Sequence, residues 1–137
     1  MAERRERVGR VGFLAAGLAA ATDVAYLAII RAQGTAWISA RVAFVACFIA
    51  SGAVLALVGA TGVDPGRRTL ALGAATGVLV SAGLVGIFSI GLPLLLAAVP
   101  AGWAWRAVAR GGGVARRTVL ASLGLAAACP ALLVGGL

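Results

Sequence analysis

Histidine, lysine and asparagine do not occur in this chain, and their absence removes most routes to a catalytic or metal site. A serine or cysteine nucleophile needs a base beside it, ordinarily histidine or lysine. A usual zinc site draws on histidine or on closely spaced cysteines. The two cysteines, Cys47 and Cys129, lie in separate apolar runs with no CxxC spacing, which suits buried inert thiols. Acidic residues number four: Glu3 and Glu6 in a basic head, Asp64 in an Asp-Pro-Gly turn, and Asp23 alone in an apolar run. No pair among them is placed for acid–base work. The run Gly111-Gly112-Gly113 lacks the Lys-Ser/Thr that a phosphate-binding loop requires, so it is expected to be a flexible linker. The sequence points away from an enzyme and calls for no cofactor and no metal.

What is abundant sets the class. Of 137 residues, 62% are hydrophobic and 12% charged, with a mean hydropathy of +1.06. A water-soluble core of this size could not bury so much apolar surface, so lipid must be the solvent. In lipid every backbone polar group must be satisfied within a helix or a closed barrel. The apolar runs are long and show no alternation of period two, which selects helices. The fold class expected is therefore all-α, a polytopic transmembrane helical bundle. The net charge of +8 does not imply nucleic acid, because the basic residues, all arginine, cluster in short segments between apolar runs. Richness in Ala, Gly, Val and Arg suggests a GC-rich bacterial genome, and with it the bacterial plasma membrane.

Five spans are expected in one domain. A basic segment over residues 1–10 precedes helices at about 11–30, 38–60, 69–88, 92–105 and 118–137. At about 1.5 Å per residue, some 20 residues cover a hydrocarbon core of roughly 30 Å. Asp64-Pro65-Gly66 should turn the chain after helix two. A tight turn at Ser89-Ile90-Gly91 should separate helices three and four, with Pro93 in the first turn of helix four. Pro100 should kink that short helix or make it re-entrant.

Charge tests the helix count. With the N-terminus in the cytoplasm, five spans put every arginine on the cytoplasmic side except Arg31 and Arg41, as the positive-inside rule demands. Fusing helices three and four would strand Arg106, Arg110, Arg116 and Arg117 outside. Trp37 would then mark the outer interface, and Trp103 and Trp105 the inner one. A competing account treats the head, the run Val11 to Leu18 and Ala19-Ala20-Ala21 as a cleaved secretory signal, leaving four helices. The run continues through Ile30, well beyond a usual signal, which favours five.

Small residues recur every fourth position, at Thr69, Gly73, Gly77 and Ser81 in helix three and at Gly12, Ala16 and Ala20 in helix one. Such stripes let backbones approach closely. Gly73, Gly77 and Ser81 form the candidate packing face, within the chain or against a second copy or another membrane subunit.

Asp23 resists a bland explanation, since an ionised carboxylate deep in a span costs several kcal/mol unless protonated or paired. Ala16, Ala19 and Ala20 around it suggest that it faces the bundle. In a structural role, Asp23 pairs with Arg41 and Tyr26 or Thr22 supplies a hydrogen bond, fixing the register of helices one and two. In a functional role, Asp23 binds a proton or cation. The structural role is favoured, and with it a small non-catalytic accessory or assembly subunit whose arginines meet anionic lipid head groups. The alternative is a small oligomeric proton- or cation-coupled transporter or channel using Asp23.

Overall fold

The computed structural model describes residues 2–34, 40–86, 91–111 and 114–136. They form five helices: α1 (Ala2–Ala32), α2 (Ala40–Thr61), α3 (Pro65–Val85), α4 (Gly91–Ala109) and α5 (Arg116–Gly136). No strand occurs among the described residues, and all five helices are long and apolar enough to cross a membrane.

The helices begin and end differently from expectation, and each difference has a local cause. α1 starts at Ala2, so its first turns carry the basic residues that precede the apolar run. Glu3 accepts from Arg7 at 2.7 Å and Glu6 from Arg10 at 2.8 Å, both with the acid one turn N-terminal to the base, the favourable order on a helix. Val8 is buried against Leu72 and Ala104, which fastens this extension to the bundle. At its far end α1 gives way to Gly34, whose φ of 67° is the left-handed stop that glycine supplies after a helix.

α3 starts a turn earlier than expected. Asp64 has extended backbone and its carboxylate accepts from the Arg67 amide at 2.9 Å, with Pro65 in the first turn. This is an N-cap followed by a proline at a position that needs no N–H donor. The Asp-Pro-Gly segment therefore opens a helix as well as turning the chain. α4 runs through Ala109, beyond the expected end at Trp105, and Pro100 lies inside it without ending it. Its 19 residues span about 28 Å, so α4 is a full-length helix. The expected turn residues Ser89 and Ile90, the interfacial Trp37, and Gly112 with Gly113 lie outside the described residues.

α3 is the central element. Buried positions make up 67% of an apolar 18-residue stretch of α3, against 17 to 28% of the corresponding stretches in the other four helices. It packs on α2, α4 and α5, while α1 packs on α2 and α4. Helices α1 to α4 thus close a ring of neighbours, and α5 lies outside it on α3. The core of the ring is apolar: Ala15 and Ala19, Ile49 and Ala56, Ala75 and Leu79, and Leu94 with Ala97 and Ala101. Without a hydrophobic driving force in lipid, such packing holds helices together by close van der Waals fit.

The contacts order the ends. Gly12 meets Ala60, Gly59 meets Leu72, and Gly73 meets Trp105 and Ser122, so the start of α1, α3 and α5 and the end of α2 and α4 share one end of the bundle. That end carries Arg7, Arg10, Arg67, Arg68, Arg106, Arg110, Arg116 and Arg117. Arg31 and Arg41 lie at the other end, in the last turn of α1 and the first turn of α2.

Candidate functional site

Asp23 sits at the edge of the packed face of α1. That face is Val8, Gly12, Ala15, Ala19 and Thr22, all buried. The expected stripe Gly12, Ala16 and Ala20 is not the packing face: Ala20 is exposed and Ala16 half-buried. A strict four-residue step drifts around a helix of 3.6 residues per turn, whereas steps of three and four stay on one side. Thr22 donates to its own backbone, the Leu18 carbonyl, at 2.8 Å, so its hydroxyl is spent there and not on Asp23. Oδ1 of Asp23 is buried and has no hydrogen-bond partner. Tyr26, three residues on, is half-buried on the same side. Arg41 belongs to the first turn of α2, and its side chain lies outside the described residues, as does the expected pair with Asp23.

The candidate packing face of α3 looks inward. A methyl group on Gly77 would stand 2.5 Å from Cα of Ala126, and one on Gly73 would stand 2.8 Å from Cβ of Ser122. Neither fits without backbone movement, so the two glycines set the distance at which α3 and α5 lie side by side. Ser81 is buried and donates to the Gly77 carbonyl at 2.7 Å. At Gly73 a third helix joins: Trp105 Nε1 of α4 donates to Ser122 Oγ of α5 at 3.0 Å, and Ser122 donates onward to the Val119 carbonyl at 2.7 Å. The ring of Trp105 thus satisfies its one donor inside the bundle.

Cys129 is buried and donates to the Leu125 carbonyl at 3.2 Å, while Cys47 is exposed. No group of three or more metal-ligating side chains occurs among the described residues.

The sequence did not reveal two features at the arginine-rich end. Arg68 is buried, and its Nε donates to the Gly59 carbonyl at 3.0 Å. Gly59 lies in the last turn of α2, where carbonyls lack helical partners and cations are favoured. Arg68 therefore caps α2 from the first turn of α3, although the expected helix three began only at Thr69 and left Arg68 in the connection before it. The Asp64-Pro65 start signal, taken as a helix N-terminus, would have placed it in that first turn. The second feature is an open recess of about 750 Å³ between the start of α1 and the end of α4, lined by Glu3, Arg7, Trp103, Arg106, Ala107 and Arg110. The signal for it was the three- and four-residue spacing of Trp103, Arg106 and Arg110 on one side of α4.

No family model matches the chain, and no curated protein or solved structure matches it. The distinctive chemistry of the described residues is narrow. It consists of one buried carboxylate oxygen, an apolar bundle core, glycines spent on internal packing, and a basic, aromatic recess at one end.

Proposed function

We propose that the chain is a non-catalytic accessory or assembly subunit of the bacterial plasma membrane, crossing it five times with its N-terminus in the cytoplasm. The orientation follows from the arginines gathered at one end of the bundle, which the positive-inside rule assigns to the cytoplasm.

The observation that carries the subunit reading is the outer side of α5. Ser122, Cys129 and Leu133 hold α5 to the bundle, and the opposite side presents Ala121, Gly124, Ala128, Ala131 and Gly135, all exposed. Around Gly124 and Gly135 there is open space. Inside the bundle the same kind of stripe, Gly73 and Gly77, lets α3 and α5 touch closely. A second stripe turned outward offers the same close approach to a helix of another chain. The apolar filling of the α1 to α4 ring fits a protein that holds a partner, since a transport route needs a wettable path.

The test is the size of the assembly. In mild-detergent extracts of native membranes, the tagged wild type should migrate on native gels well above its own mass. Gly124→Leu with Ala128→Leu should migrate as the free chain at unchanged abundance. Wild type and variant migrating alike as the free chain would refute the reading.

A second reading, proton- or cation-coupled transport, rests on the buried, unbonded Oδ1 of Asp23. It requires ion flux in proteoliposomes that Asp23→Asn abolishes. The subunit reading requires no such flux from the purified chain.

A further inference from the structure

We propose that the recess between α1 and α4 is a binding site for one anionic phospholipid of the leaflet at the arginine-rich end, with the phosphodiester in the recess and an acyl chain along α1. The proposal rests on the chain lying in a membrane and not on the subunit role.

Three observations converge on it. The recess holds Arg7, Arg106 and Arg110 against the one carboxylate of Glu3. Glu3 is engaged by Arg7, and neither Arg106 nor Arg110 has a carboxylate partner among the described residues. The charge left over is positive and belongs to guanidinium forks, which match a phosphate's oxygens. Trp103, half exposed, forms part of the wall, and tryptophan is the side chain favoured at head-group depth.

The third observation supplies the lipid. A second, apolar groove on α1 is lined by Arg10, Phe13, Leu14, Gly17 and Leu18. Arg7, Arg10, Leu14 and Leu18 follow one another in steps of three and four, so recess and groove share one stripe of α1. From Arg7 to Leu18 the helix rises about 16 Å, close to the depth of one leaflet, about 15 Å. Gly17 has open space where a side chain would be, leaving room for a chain to lie against the backbone. A free phosphate would use the recess and ignore the groove, whereas a phospholipid uses both. Basic pockets between helices at the cytoplasmic face are where such head groups are held.

The test is native mass spectrometry of the purified full chain titrated with dioleoyl phosphatidylglycerol, dioleoyl phosphatidylcholine, dihexanoyl phosphatidylglycerol and inorganic phosphate. The dioleoyl anionic lipid should bind in preference to the zwitterionic one. Arg106→Gln with Arg110→Gln, both exposed positions, should weaken it about thirtyfold. Gly17→Phe, which lays a ring across the groove, should weaken the dioleoyl lipid and leave the dihexanoyl one unchanged. Equal binding of the zwitterionic lipid, undiminished binding by the double variant, or indifference of the dioleoyl lipid to Gly17→Phe would overturn the proposal. So would inorganic phosphate displacing the lipid at equal concentration, which would make the recess a site for free anions.

Discussion

The indole nitrogen of Trp105 donates to the hydroxyl of Ser122 at 3.0 Å, directly over Gly73, whose missing side chain makes the room. Three helices meet there. Ser122→Ala removes the acceptor and should cost about 0.5–1 kcal/mol, the usual worth of a hydrogen bond between membrane helices. Trp105→Phe should cost more, because it also trims a partly buried ring. The two losses should fall short of additive in the double variant, since both remove one bond. Unfolding by detergent titration, followed by tryptophan fluorescence for the Ser122 variant and by circular dichroism for the others, measures all three.

Two glycine substitutions should separate internal from external packing. Gly77→Ala forces a methyl group against the backbone of Ala126 and should destabilise the isolated chain by about 1–3 kcal/mol, as overpacking does. Gly124→Ala meets open space and should leave the isolated chain as stable as wild type or slightly more so, alanine being the better helix former. Equal effects in the same unfolding titration would show that α5 does not lie on α3 at Gly77.

The caps at the arginine-rich end make a matched pair of tests. Asp64→Ala removes the acceptor for the Arg67 amide and should cost about 1 kcal/mol. Arg68→Leu takes away the donor to the buried Gly59 carbonyl and should cost about 1–3 kcal/mol, the penalty of leaving a buried acceptor unsatisfied. Arg67→Leu, on the exposed neighbour, should change stability by less than either. Hydrogen exchange at the end of α2 should rise in Arg68→Leu and stay unchanged in Arg67→Leu.

The number of helices was legible in the sequence because run length and backbone satisfaction leave few choices in lipid. The arginines then forced residues 69–105 to be read as two helices. The inward face of α3 was visible too, in the repeat Thr69, Gly73, Gly77 and Ser81, all four of them buried. The same rule misplaced the face of α1, where Ala15 and Ala19, not Ala16 and Ala20, turn inward. Many alanines at many spacings make that face ambiguous. Hydropathy could not say that α3 would be central, because every helix is apolar and centrality depends on which faces can approach. Arg68 and the α1–α4 recess were missed for a related reason: their local signals lie in a helix start and a side-chain spacing, and a charged residue near a turn reads as solvated until its neighbours from other helices are known.

Whether the outer side of α5 meets another protein can be read by site-specific photocrosslinking in intact membranes. A benzophenone amino acid at Leu132, exposed beside the stripe, is compared with one at Leu96, exposed on α4. If it does, position 132 yields a single discrete protein adduct and position 96 yields none. Lipid adducts alone from both positions would contradict such a contact.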